Sequence, residues 1–334
     1  MLIKPFPKIE NIHAVAIPFP AFSDLITANV YVLGSDPVTL IDSGPKFPDS
    51  FEFVQRELKS AGIDLKNVER IIITHGHLDH FGLAQRVREA AVKPVECFIH
   101  AEDEWRVSGK NFREAVWSEK VENLMAMVDV PQIEIEKIKK RFSFFKELWE
   151  PLGSVSTIEE GDEFIGEGYH LKVIHTPGHT PGSCCLYELQ QKILFSGDNI
   201  IKHITPNPLL EIQRDRLLDP DYQSLKAFLN SLDKLNGLEA HFVFSGHGEY
   251  IEDLPGIIST YKVHHRQRMD LVWRALKEKT RPLYQIIDNV FPYVPEDDVF
   301  LAISEILVHL EILINEGRIE LVDPGPPSLY RALD

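Results

Sequence analysis

Three histidines and an aspartate fall within six positions, His75-Gly76-His77-Leu78-Asp79-His80, directly after the apolar run Ile71-Ile72-Ile73. The run is bounded and too short for a helix, so it reads as a buried strand. Apolar residues at helical spacing resume at Leu83, Val87 and Ala91. The polar knot therefore sits where a strand exits and before a helix begins, on a loop positioned by rigid neighbours. On an extended exit, side chains two apart point the same way. His75 and His77 can then share one ion, Asp79 continues the alternation, and His80, displaced to the other side, can serve a second. Imidazole and carboxylate without thiolate suit zinc, manganese or iron. One histidine here would be incidental loop polarity; three with an interleaved aspartate read as ligands.

The pattern His-x-His-x-Asp-His after an apolar strand resembles the signature of the metallo-β-lactamase-fold hydrolases. The rest of that family's pattern follows in order. His179 lies in Thr176-Pro-Gly-His-Thr-Pro-Gly-Ser183, Asp198 in Phe195-Ser-Gly-Asp-Asn199, and His247 in Phe244-Ser-Gly-His-Gly248. Asp42, in Leu40-Ile-Asp-Ser-Gly44, matches an upstream supporting aspartate, and the resemblance covers roughly residues 12 to 261. It implies a glyoxalase II-like hydrolase with two divalent ions, zinc being the first choice and manganese or iron the others. His75, His77 and His179 would hold one ion, Asp79, His80 and His247 the other, and Asp198 would bridge them. A hydroxide between the ions would attack a carbonyl or phosphorus. Asp79 would also be catalytic, orienting the nucleophile or passing a proton to the leaving group, and Asp42 would hydrogen-bond a ligand histidine from behind.

A chain of 334 residues accommodates two domains, or one with a large insertion. No stretch approaches the length of a membrane span. Pro5, Pro7, Pro18 and Pro20 interrupt the first twenty residues, so no secretory signal is expected. Cys97, Cys184 and Cys185 form no disulfide framework, which points to a reducing cytoplasm. Strand alternation would send one of Cys184 and Cys185 inward and the other out. The formal net charge of −16 argues against nonspecific binding to nucleic acid or anionic membrane, without excluding a local basic groove.

In chain order, His13–Ile17, Asn29–Leu33 and Val38–Asp42 read as strands, the last two joined by the turn Gly34-Ser-Asp-Pro37. Helical spacing runs from Pro48 to Ala61, and Val95–Ile99 reads as a strand. His100 follows as a structural histidine before an acidic helix start, Glu102-Asp103-Glu104. Residues 102–150 read as a helical insertion, with runs Glu114–Met127 and Ile133–Leu148. Its aromatics are Trp105, Phe112, Trp117, Phe142, Phe144, Phe145 and Trp149, expected to be mostly packing with one or two near substrate. Tyr169–Ile174, Lys192–Phe195 and Ala240–Phe244 are further strands, His175 reads as structural, and Asp219–Leu235 is an amphipathic helix. Lys202, His203 and Asn207 leave the presumed bridging carboxylate and are candidate substrate contacts. Periodicity alone supports α/β or α+β; the αββα sandwich is what the resemblance implies.

The tail divides the chain into a catalytic domain, 1–255, and a separate unit, 256–334. Helices from Ile257 through Lys279, at Pro282 and over Val299–Asn315, followed by a hairpin from Arg318 around Pro324-Gly-Pro-Pro327, resemble the winged helix some members carry. Its third helix and flanks hold Asp297, Asp298, Glu305, Glu311 and Glu316 but no lysine or arginine, which argues against DNA. Packing or a homo-oligomer interface is the expected role. The expected substrate is a small thioester or ester. Single-stranded RNA, a lactone and iron-dependent redox chemistry are the alternatives.

Overall fold

The computed structural model of the chain describes residues 4–19, 25–109, 118–212 and 222–334, with the backbone alone at Asp297. The chain divides into two compact units, Met1–Lys110 with Leu148–Pro206 and Ser231–Ile258, and Asn111–Glu147 with Asn207–Asn230 and Ser259–Asp334.

The first unit contains two sheets. One has the order β1 (Ile12–Pro18), β2 (Thr27–Leu33), β3 (Val38–Ile41), β4 (Val68–Ile72), β5 (Glu96–His100) and β6 (Ser156–Ile158). The other runs β11 (Phe242–Ser245), β10 (Ile193–Gly197), β9 (Cys184–Glu188), β8 (Tyr169–His175) and β7 (Glu163–Gly166). The hairpin β2–β3 turns at the Gly34–Pro37 segment with Leu33 opposite Thr39. From β3 to β6 the pairs are parallel, which requires crossover connections such as helix Ser50–Ser60 between β3 and β4.

Alternate residues of β2 belong to different cores. Tyr31 and Leu33 meet Leu171, Val173, Leu186, Phe195 and Phe244 of the second sheet. Val30 and Val32 instead join Val54, Leu58, Phe81 and Val87 on the helix-covered face. Both faces of β2 are thus dry, and all seven of its residues are buried. The same double cover buries both Cys184 and Cys185, so the expectation that one would face outward fails: β9 is an inner strand with packing on either side.

The polar knot also departs from the extended path expected for it. Leu78–Phe81 is one helical turn with His77 at its cap, and Ala84–Ala90 is a second helix. Asp79 and His80 are separated by the α-helical rotation between neighbours rather than by strand alternation.

The second unit holds helices Glu119–Val128, Gln132–Leu148, Ile287–Val290 and Val299–Asn315, most of helix Leu254–Lys277, and the hairpin β12 (Ile319–Asp323) with β13 (Leu329–Ala332). Gly317, with φ of 68°, stops the helix before β12, and Arg318 N–H closes onto Leu313 O at 2.9 Å. The tail thus contains the helices and hairpin expected of it. Its compact grouping differs from a linear cut at 255/256, because Val121, Leu124, Met125, Val128 and Ile138 of the insertion share a core with Leu283, Ile306 and Leu310. Ser328 N–H also donates to Met127 O at 2.8 Å. Phe142 packs edge-on against Phe300 at 5.1 Å. Phe112, Trp117 and the start of the helix expected from Glu114 lie outside the described residues.

Candidate metal centre

The site forms where strand ends of the two sheets release their chains. Beyond β4, Thr74 leads into His75 and His77; His179 lies between β8 and β9; Asp198 follows β10; His247 follows β11. Parallel pairing of β3 with β4 brings Asp42 beside this exit, its N–H bonded to Ile72 O at 2.9 Å. Asp42 holds a positive φ of 58°, a conformation aspartate tolerates better than most residues.

Two groups of donors result. His75, His77, His179 and Asp198 form one; Asp79, His80 and His247 form the other. In the first, His77 Nδ1 lies 3.0 Å from both His75 Nε2 and His179 Nε2. Asp198 Oδ2 is 3.5 Å from His179 Nε2 and 3.9 Å from His75 Nε2. In the second, His247 Nε2 is 3.2 Å from Asp79 Oδ2, and His80 Nε2 is 3.8 Å from the same oxygen. Asp198 reaches both groups, with Oδ1 3.3 Å from His80 Nε2 and Oδ2 3.3 Å from His247 Nε2. Ligands held by one tetrahedral ion at ~2.0–2.1 Å stand roughly 3.3 Å apart, within the range seen here.

Three of the rings are oriented from behind. His80 Nδ1 faces Asp42 Oδ2 at 2.8 Å, and His247 Nδ1 donates to Thr27 O at 2.7 Å. His75 Nδ1 meets Thr74 Oγ1 at 3.2 Å, and the Thr74 hydroxyl itself donates to Asp42 Oδ2 at 2.9 Å. These contacts turn the other ring nitrogens toward the centre, where binding an ion would require them to give up any proton. His80 Nε2, His247 Nε2 and Asp198 Oδ1 are buried with no hydrogen-bond partner among the described residues. Orphaned buried polar atoms are costly unless something pairs with them, and a divalent cation fits this donor set. The glycines of the two Ser-Gly motifs keep the space open. A Cβ on Gly246 would run into Asp198 Oδ1 and His80 Cε1, and one on Gly197 would stand 2.7 Å from Thr74 Oγ1.

Electrostatics divide the rings. Burial, then the neighbouring imidazoles, hold His75 and His77 well below the ordinary histidine range. Burial also opposes charge on His80 and His247, but the carboxylates outweigh it: Asp198, Asp42 and Asp79 raise His80 well above that range, and Asp198 and Asp79 bring His247 to about 9. Asp79 reaches about 2, since His80 and His247 overcome its burial. The second group therefore demands positive charge. His77 and Asp79 are the half-buried members, while His75, His80, His179, Asp198 and His247 are buried.

The three candidate substrate contacts are placed differently. Lys202 is exposed and paired with Glu249 at 2.7 Å. His203 lies against Gly248, next to His247, where a Cβ would meet its Cδ2 at 2.8 Å. Asn207 belongs to the second unit and donates to Leu301 O at 3.0 Å. His100 stacks on His175 at 3.9 Å, and His175 Nε2 faces Pro181 O at 2.8 Å, so both serve packing and loop shape. Sequence reasoning missed Asp103, Thr27 and Phe19, whose ring lies 5.5 Å from that of His247. Asp103 looks like any acidic residue at a helix start; nothing in the sequence says that it is buried.

Residues 24–247 match the family model described as the metallo-beta-lactamase superfamily, about two thirds of the chain, and the protein belongs to that family. It is a metallo-hydrolase of that superfamily. Among its relatives, the probable metallo-hydrolase YqjP of Bacillus subtilis is 29% identical over 97% of this chain and 98% of its own. The beta-lactamase-like protein 2 homolog of Drosophila melanogaster is 25% identical over 93% and 90%. Among solved structures, a metallo-beta-lactamase family protein of Thermus thermophilus superposes with a TM-score of 0.78 at 27% identity, over 97% of this chain and 99% of that one. No described helix is long and apolar enough to cross a membrane.

Proposed function

We propose that the protein is a hydrolase with two divalent ions, zinc first among them, acting on a small thioester or ester. The observation that carries the dinuclear reading is Asp198, whose two carboxylate oxygens face both donor groups. His75, His77 and His179 would hold one ion and Asp79, His80 and His247 the other, with Asp198 available to both. Bound there, such ions supply Lewis acidity toward a carbonyl and acidify water. The chain's own residues do the rest. Asp42 and Thr27 fix the His80 and His247 rings. Asp79, half-buried and ionised at neutral pH, can orient the attacking water and hand its proton to the leaving group. His203, beside Gly248, is the substrate contact this reading favours over Lys202 and Asn207, which are engaged by Glu249 and Leu301.

A net charge of −16 supports a small acyl substrate over a polyanion. A second reading, cleavage of single-stranded RNA, draws on the exposed Arg266, Arg274 and Lys277 of helix Leu254–Lys277. We read residues 1–255 as the catalytic domain and 256–334 as a winged-helix-like module that packs or joins subunits. The test is thiol release from a short-chain acyl thioester by zinc-reconstituted protein. Release that chelation abolishes and His77→Ala lowers by more than ~100-fold, beyond the usual cost of losing a supporting residue, is expected. Activity on single-stranded RNA with none on thioesters would exchange the two readings.

A further inference from the structure

Asp103 lies outside every motif, yet its side chain is fully buried at 0% exposure. Its Oδ2 accepts from Gly76 N–H at 2.8 Å and from the Thr180 hydroxyl at 2.6 Å. Oδ1 accepts from Gly182 N–H at 3.2 Å and stands 3.4 Å from Arg106 Nε. Gly76 separates His75 from His77, and Thr180 follows His179. One carboxylate therefore ties together two loops that arise from different sheets. The approach needs glycine at 182, where a Cβ would meet Asp103 Cβ and Cγ at 2.7 Å. Burying a carboxylate is expensive unless its oxygens are hydrogen-bonded, and here three donors and a guanidinium satisfy it.

We infer that Asp103 is a positioning residue that sets the spacing of His77 and His179, and thereby the affinity of the His75–His77–His179 pocket for its ion. The inference rests on reading that pocket as a metal site. An asparagine at 103 would offer a single acceptor oxygen to the three donors and turn an N–H toward one of them. The loops would part, and the 3.0 Å approach of His77 Nδ1 to His179 Nε2 would be lost. The Asp79–His80–His247 group touches none of these bonds and should be spared.

The experiment titrates metal-free full-length protein with cobalt(II), following visible absorption and stoichiometry, for the wild type, Asp103→Asn and Tyr169→Phe. Tyr169 supplies a control of similar kind, a buried hydroxyl bonded to Thr39 Oγ1 at 2.6 Å and Arg70 Nη1 at 2.9 Å. The expected result is two ions in the wild type and in Tyr169→Phe. In Asp103→Asn one of the two should bind 10- to 100-fold more weakly, a range of about 10–100 being usual for residues that orient ligands, with a changed absorption band. Wild-type titration by Asp103→Asn would overturn the inference and leave the metal reading standing. No cobalt bound by the wild type would sink both. If Asp103→Asn does not fold, Thr180→Val, which removes only the hydroxyl contact, should show a smaller shift of the same ion, and its absence would overturn the proposal.

Discussion

Each unit of the protein buries histidines, and the two sets behave in opposite ways. In the first unit His80 and His247 face Asp42, Asp79 and Asp198, and both are driven toward the charged state. In the second, His265 Nδ1 meets His309 Nε2 at 3.1 Å, and His309 Nδ1 donates to Glu305 O at 2.6 Å, one helical turn back. Burial foremost, then the partner ring, brings His265 to about 3; burial brings His309 to about 4, although Glu305 pulls the other way. Glu305 is meanwhile engaged by Arg268 at 2.7 Å and by His264 at 3.6 Å. Buried imidazole is thus no sign of a cation site by itself. The excess of carboxylate over its positive partners decides whether the cavity wants a cation, as at Asp198, or stays a neutral part of a core.

The largest expected effect is on the cation-seeking set. On the proposed dinuclear reading, Asp198→Ala should weaken metal binding in both donor groups and lower hydrolysis by more than ~100-fold, beyond the cost of losing a residue that only orients a ligand. Metal content measured beside the rate checks it, and retention of two tightly held ions would break the comparison at its first term.

A moderate effect belongs to the neutral set. His265 and His309 titrate near 6.5 when unfolded but only at about 3 and about 4 when folded. Between those limits the unfolded chain binds more protons, so stability rises with pH and is lost as pH falls from about 6.5 toward 4. The slope is up to about 1.4 kcal/mol per pH unit for each ring. In metal-free protein the sign is reversed for His247, whose contribution is complete below about pH 6.5 and is lost as pH rises through about 9. Denaturant melts at pH 7 and pH 5 test this, with His265→Leu/His309→Leu expected to flatten the acid-side slope. An unchanged slope in that variant would place the acid sensitivity elsewhere.

The smallest effect is at the rim. His203→Ala should raise KM by up to about tenfold, roughly one polar contact's worth of binding, with kcat and metal content unchanged. A fall in metal content would mean that His203 supports the His247 loop rather than the substrate.

Much of the centre was legible before any fold was known. His75, His77, Asp79, His80, His179, Asp198 and His247 each stand in a short motif beside an apolar strand, because strand exits are where a rigid sheet can deliver a side chain to a point. The path taken by Asp79 and His80 was not legible, since an extended and a helical exit both separate neighbours, and only packing of Phe81 into the helix-covered core selects the helical turn. Nor was the fate of the insertion. Its amphipathic helices announce that they must bury a face, but Val121, Leu124 and Met125 could have met any apolar surface; tertiary structure assigned them to the core of the C-terminal helices.

Local sequence thus determined which residues gather into the two donor groups, through ligand type, spacing and the glycines that let backbone pass close. Tertiary structure alone decided how those residues are held. Asp103 meets Gly76, Thr180 and Gly182 across distances in sequence that no local pattern spans, and Asp42 reaches His80 only because β3 and β4 pair in parallel. A hydrogen bond between distant segments depends on the register of the sheets that carry them, and register is a property of the whole core.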